Sequence, residues 1–306
     1  MSTTPALTRS QTVRRVKWRG GLVAWAFALP ALVFYVWFLV APAFQSLVFS
    51  FTDWDGLSPT YSLVGLKNYV LMLTDPIVHT AVRNNLVWTG VTITVPVIQG
   101  LLLAVLLNGH VYGKSLIRTI FYTPAVLPLV SVGSIWGWLY NPQYGAINEV
   151  LRAIGLGGLA QPWLGQDATA LAAVIVPAIW LRTGFPMLLY LAALQGIPKE
   201  LYEAATVDGA NRWKQFWNIT MPGLVQAHLI VVALSLIDSF KVFDLIYVMT
   251  YGGPGSTTQV IGTYMYANVF QYYRAGYGMA LAVSITIVAI IVSIPYVRSQ
   301  TRRDDR

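Results

Sequence analysis

Six apolar runs, each long enough to cross a bilayer as a helix, dominate this chain of 306 residues. They lie at roughly 21–44, 86–107, 120–140, 168–194, 224–249 and 276–297. Only 10% of residues are charged and 56% are hydrophobic, with a mean hydropathy of +0.59. A soluble domain is nearer a quarter charged. In lipid every backbone amide must be satisfied within the segment. The chain is therefore expected to fold as an all-α, polytopic integral membrane bundle of six transmembrane helices. The first run is too long for a signal peptide, and no small-residue cleavage site follows it, so it reads as a retained span. Pro124 and Pro128 are expected to kink or interrupt the third run, and Gly184 with Pro186 to break the fourth. A short helix is expected near 148–154, and Tyr251 to Ser256 reads as a turn.

The net charge of +8 does not point to nucleic acid, because the basic residues sit between apolar runs. Six spans put both termini on one side. Fourteen Lys and Arg residues fall in the two tails, the 109–118 turn and the 195–223 loop. Four (Lys67, Arg83, Arg152 and Arg274) fall on the other side. The richer side is cytoplasmic, so both termini and the 195–223 loop are expected there. This divides the chain into a basic tail 1–19 held near anionic lipid, a membrane domain 20–297, and a second tail 298–306. No cysteine is present, and the three histidines are too scattered for a metal site.

The loop Ile197–Gly223 is the longest polar interval in the second half. Pro198 can open a short helix whose Leu201, Ala204 and Ala205 share one face. Gly209 can end that helix in a left-handed conformation, and Asn211 can cap a second one carrying Trp213, Phe216 and Trp217. Small residues let a partner approach, and Glu203 near a helix start can take an Arg from it. The three aromatics supply apolar area, either for a partner or for bracing the loop on its own spans.

The spacing Glu203-Ala204-Ala205, Gly209, Ile219, Pro222 resembles the EAA loop of permease subunits of binding-protein-dependent ABC importers. Met221 stands where Leu is usual, a volume-conserving swap. The resemblance implies a cytoplasmic coupling helix between the fourth and fifth spans, docked on an ATPase subunit. Glu203, Ala204, Ala205, Asp208, Gly209 and Pro222 would form the dock.

The fifth run carries Ser235, Asp238, Ser239, Lys241 and Asp244. Ionisable groups in a span face a bundle interior, water or one another. On a continuous helix Ser235, Asp238, Ser239 and Val242 share a face, and Lys241 can pair with either aspartate. A structural ion pair and a substrate contact are both open. Phe240 to Asp244, continued to Pro254, resembles the sugar-importing branch of these permeases, in particular the subunit that pairs with a second, non-identical permease. That resemblance implies a path role for Ser235, Asp238 and Ser239. Arg182 in the fourth run must find an anion, a carbonyl or water, and Lys241 and Asp244 complete the candidate path. Trp180 and Tyr190 could serve a sugar ring or belong to an interfacial aromatic belt.

Gly109 to Ser115 nearly imitates a phosphate-binding loop, but three residues separate its glycines where four are needed. It reads as a basic turn, so ATP and Mg are expected on a separate ATPase, with no cofactor in this chain. The resemblance implies a permease importing a mono- or oligosaccharide across the cytoplasmic membrane of a bacterium or archaeon. Its partners would be an extracytoplasmic solute-binding protein, a second permease and two ATPase copies. A glycerol-phosphate or polyol ligand is the alternative within the class. A secondary transporter would show an internal repeat, and a membrane enzyme a clustered acid, base or metal constellation; neither is visible.

Overall fold

The computed structural model describes residues 17–304, with side chains described for 25–294. Arg9, Arg14, Arg15 and Arg306 of the two tails lie outside the described residues, and the tail limits at 19 and 298 fall where only helical backbone is described. Among the described residues all regular structure is helical, with one isolated antiparallel bridge between Thr52 and Leu63.

Among the described residues four helices are long and apolar enough to span: Trp25–Phe49, Pro76–Asn108, Ala170–Gln195 and Ala275–Ile294. Two bent pairs raise the number to six if each counts as one span. They are Lys114–Val126 with Leu129–Leu139, bent 105°, and Arg212–Gly223 with Val225–Ser239, bent 64°. The first bend falls where Pro124 and Pro128 were expected to interrupt the run.

The helix Pro76–Asn108 organises the packing, because all three buried clusters lie along it. Val78 and Ala81 meet Tyr264, Tyr277 and Leu281 at one end. Trp88 joins Val174, Ala178 and Ile246 further along. Val97, Ala104 and Leu107 meet Leu191, Leu194 and Leu224 at the other end. Close approach is built in at Gly100, where a Cβ would fall 2.6 Å from Pro186 Cβ and 2.7 Å from Met187 N. Small residues at such crossings let membrane helices pack backbone to backbone.

Two prolines are absorbed by wide turns. A π-turn at Val36–Val40 precedes Pro42, and another at Phe216–Thr220 precedes Pro222. A proline ring clashes with the carbonyl four residues back, and an extra residue per turn relieves the clash. Both helices therefore continue past their prolines.

One expectation holds and two are corrected. The fourth run is interrupted at Thr183, between helices Ala170–Arg182 and Gly184–Gln195, where Gly184 and Pro186 were expected to break it. The interruption is slight: Thr183 N bonds Ile179 O and Met187 N bonds Thr183 O, and the two pieces still make one apolar span, Ala170–Gln195. Gly184 also serves contact, since a Cβ there would lie 2.3 Å from Phe121 O. The fifth run is not one helix to 249. It ends at Ser239, and a separate helix, Asp244–Met249, follows. The Ser239 hydroxyl turns back to Leu236 O, and Val242 O packs so tightly on Gly262 that a Cβ there would sit 2.7 Å away. Such local polar bonds compete with the helical ladder. The second helix starts well before 86, because Asp75 caps it through Ile77 N at 2.9 Å and Pro76 takes the first position. Helices Lys67–Thr74 and Ile261–Phe270 were not expected at all, whereas the one expected near 148–154 is present as Ala146–Ala153.

Asp75 also gathers the far end of the bundle. Its Oδ2 accepts from Tyr264 Oη and Tyr277 Oη, both at 2.7 Å. Burial works to raise this carboxyl's pKa, but the two tyrosines and the backbone amides of Ile77 and Val78 outweigh it and hold the value below the usual 3.8. The stabilisation is complete above about pH 4 and fades as the pH falls through the lower folded value. Asp75→Ala is expected to cost about 1–3 kcal/mol by stranding two hydroxyls. Thermal unfolding of the detergent-solubilised chain from pH 7 down to pH 3 is the check. The variant should start lower and lose less on acidification than the parent.

Candidate functional site

Two features stand about 20 Å apart along the fourth and fifth helices. The first is the connecting knuckle. Helix Lys199–Val207 ends at Gly209, whose φ is +74°. Ala210 N bonds Ala205 O at 2.8 Å and Gly209 N bonds Thr206 O at 3.0 Å, the paired bonds of a left-handed helix stop. Asn211 Oδ1 then accepts from Lys214 N at 2.9 Å and caps the next turn. Gln215 Nε2 clips the two turns together through Thr206 Oγ1, and Tyr202 Oη meets Thr220 Oγ1 at 2.9 Å. The knuckle is thus rigid without a core of its own.

Its outer face is open. Glu203, Ala204, Asp208, Gly209 and Pro222 are exposed and Ala205 is half-buried. Glu203 has no ion-pair partner among the described residues. Trp213 stacks on Phe216 and Trp217 meets both edge-on, with ring centroids 5.3–6.2 Å apart. Trp213 and Trp217 stay exposed, whereas Phe216 between them is half-buried.

The second feature is a cleft of about 530 Å³ between the fourth and fifth helices. Arg182, Ser235, Asp238 and Lys241 line it beside Phe185 and Leu245. Arg182 finds its anion in Asp238, with Nη1 donating to Oδ2. This corrects the expected Lys241 pairing. The break after Ser239 takes Lys241 off the helix, and Arg182 reaches Asp238 across the cleft. Lys241 is exposed and makes no ion pair among the described residues. Ser239 is fully buried with its hydroxyl on its own helix, and Asp244 starts the following helix. Four of the six candidate path residues therefore meet, and Ser239 and Asp244 stand apart from them. Tyr190 is also buried away from the cleft, against His228 Nδ1 at 2.7 Å, and Trp180 packs edge-on to Trp136.

The sequence reading missed a buried amide clasp. Asn84 Nδ2 donates to Thr257 O and Gln259 O at 2.7 and 2.8 Å. Asn85 Oδ1 accepts from Ile261 N at 2.8 Å. Two adjacent asparagines in a spanning helix were the available signal, since such groups must find partners inside the bundle.

Residues 97–304 match the family described as binding-protein-dependent transport system inner membrane component. The chain is 36% identical over 275 residues to a probable ABC transporter permease protein, YurN, of Bacillus subtilis, covering 89% of this chain and 94% of that one. It is 34% identical to the multiple sugar-binding transport system permease protein MsmF of Streptococcus mutans, covering 88% and 92%. It is 32% identical to the trehalose/maltose transport system permease protein MalF of Thermococcus litoralis, covering 92% and 94%. In three dimensions it resembles a chain of a bacterial ABC transporter involved in the import of the acidic polysaccharide alginate. The TM-score is 0.80 at 25% identity, over 93% of this chain and 96% of the other. It also resembles a chain of a bacterial alginate ABC transporter in complex with alginate pentasaccharide-bound periplasmic protein, with a TM-score of 0.79 at 26% identity over 91% of this chain and 93% of the other.

Proposed function

The chain belongs to the binding-protein-dependent transport system inner membrane components, and from that premise we propose that it is the permease subunit of an ATP-driven importer of carbohydrate. It is a multi-pass protein of the cytoplasmic membrane. Two of the similar proteins carry sugars in their names, and the solved relative handles a polysaccharide. A neutral polyol or a glycerol phosphate is less well supported.

Each bent pair is then one span. The six spans run from a membrane domain at 20 to its end at 297, with both tails and the knuckle in the cytoplasm. A separate ATPase pair holds ATP and Mg and grips the face of Glu203, Ala204, Ala205, Asp208 and Gly209, with Pro222 setting its base. A second, non-identical permease completes the path, and a binding protein loads it from the opposite side. Coupling is then a shift between two conformations biased from both ends.

The exposed, pinned knuckle is the observation that supports this most. Arg182 lies 13 residues before the helix end at Gln195, and Asp238 lies 13 residues after Val225. At 1.5 Å per residue both stand about 20 Å from the knuckle. A push there travels along two helices to the ion pair in the cleft.

The chain has no cysteine, so Glu203→Cys is a clean reporter. In inverted membrane vesicles a short bifunctional thiol crosslinker is expected to join position 203 to a nucleotide-binding subunit. The yield should change when a non-hydrolysed ATP analogue is added. Labelling of the same thiol only from the outside of intact cells would overturn both the topology and the dock.

A further inference from the structure

We propose that Tyr247 and Tyr251 form a shelf that receives a sugar ring at the end of the chain opposite the knuckle, before the ring reaches the Arg182–Asp238 cleft; the proposal rests on the carbohydrate reading above. The two tyrosines lie in the chain beyond the far end of the Val225–Ser239 helix, which is itself about 20 Å long. They line an open cleft of about 520 Å³, together with Leu164, Gly165, Gly253 and Pro254. That volume is in the range of small-molecule sites. The cleft shares no lining residue with the one at Arg182.

The rings form a connected surface. Tyr247 stacks on Phe243 at 5.0 Å and meets Tyr251 at 4.7 Å. Tyr266 closes on both Phe243 and Tyr247, at 5.5 and 5.1 Å, and Phe270 backs Tyr266 at 4.9 Å. Tyr251 is 54% exposed, and Gln271 Nε2 donates to its hydroxyl oxygen. A pyranose offers an apolar face and a rim of hydroxyls, and a flat ring with a polar tip matches both.

The backbone beneath is built to hold this arrangement. Tyr251 adopts φ +56°, a conformation that is an outlier for a bulky side chain. Such strain persists only where the surroundings impose it, and it concentrates at ligand clamps. Here the surroundings are dense. Gly253 N bonds Thr250 O at 2.9 Å, and Thr258 Oγ1 bonds Gly253 O at 2.8 Å. Thr250 Oγ1 meets Thr258 Oγ1 at 2.8 Å, and Asn84 reaches in from the long helix to hold Thr257 and Gln259. Gly252 packs on Gln259 so closely that a Cβ would lie 2.3 Å from its amide nitrogen. A tyrosine serving only as a membrane-interface belt needs no such scaffold.

The test uses the complete importer with its partners in proteoliposomes. The probes are glucose, maltose, trehalose, maltotriose and an alginate trisaccharide, supplied with the binding protein outside. Tyr251→Ala and Tyr247→Ala are each expected to raise the KM for the imported probe about tenfold, the value of one lost ring stack. Tyr251→Phe and Tyr247→Phe should lose less than about threefold, because the ring face remains. Association of the ligand-free binding protein with the complex should not change. Unaltered import kinetics in both alanine variants overturn the shelf alone, as does a loss of binding-protein association that accounts for the whole effect. Failure of the parent complex to import any of the five probes overturns the shelf together with the carbohydrate reading beneath it. If an alanine variant fails to assemble, the phenylalanine variants and Tyr251→Trp decide: retained import supports the shelf, and lost import counts against it.

Discussion

Uptake by the assembled importer should fall roughly a hundredfold in Glu203→Lys, with the chain itself still folded and inserted. Glu203 is exposed and has no ion-pair partner among the described residues, so reversing its charge costs this chain's own folding little. The loss must then arise at a surface the chain does not cover by itself. Removing one member of a desolvated, hydrogen-bonded charge pair at an interface costs about 2–5 kcal/mol, and a reversed charge adds repulsion. Glu203→Gln is the graded comparison, because it removes the charge without reversing it and should lose less. The measurements are sugar uptake, stimulation of ATPase by loaded binding protein, and recovery of the ATPase subunit on purification. Two results fit: a complex that hydrolyses ATP without uptake, or one that loses its ATPase subunits. Normal uptake with normal stimulation would remove the dock from Glu203.

The knuckle was legible from the sequence because its determinants are local. Pro198, Gly209 and Asn211 act within a few residues of themselves, and the structure finds Gly209 left-handed and Asn211 capping as expected. The spans were legible because lipid imposes length and apolarity on each of them separately. What could not be read was anything that depends on a second segment. The wheel that grouped Val242 with Ser235 assumed an unbroken helix, whereas Gly262, twenty residues on, leaves room for the chain to leave the helix at 240. Lys241 was the nearest cation to Asp238 in sequence, yet Arg182, 56 residues away, is the one that reaches it. Gly184 read only as a breaker because its contact with Phe121 is invisible until the third and fourth runs are packed.

The Arg182–Asp238 pair gives the second large effect, and its interpretation turns on separating stability from transport. The Arg182 side chain is 24% exposed and that of Asp238 57%, so the cleft solvates the two partners unequally. Asp238→Ala strands the less exposed guanidinium. Breaking a fully buried pair costs about 3–5 kcal/mol, and the open cleft should reduce this to about 1–2 kcal/mol. Uptake should fall further than that loss of stability explains, by about tenfold or more, if the pair lines the path. The double variant Arg182→Leu, Asp238→Leu removes both charges, and replacing an ion pair by apolar groups is often neutral for folding. It should therefore recover the thermal stability of the complex without recovering uptake. Ser239→Ala is the comparison, since its buried hydroxyl only bonds back to Leu236 O. That change should leave uptake within about twofold, consistent with a net hydrogen-bond contribution of about 1 kcal/mol to stability alone. Recovery of both stability and uptake in the double leucine variant would reduce the pair to a strut between two helices. The path would then have to be sought along Ser235 and Lys241, which line the same cleft and make no ion pair among the described residues.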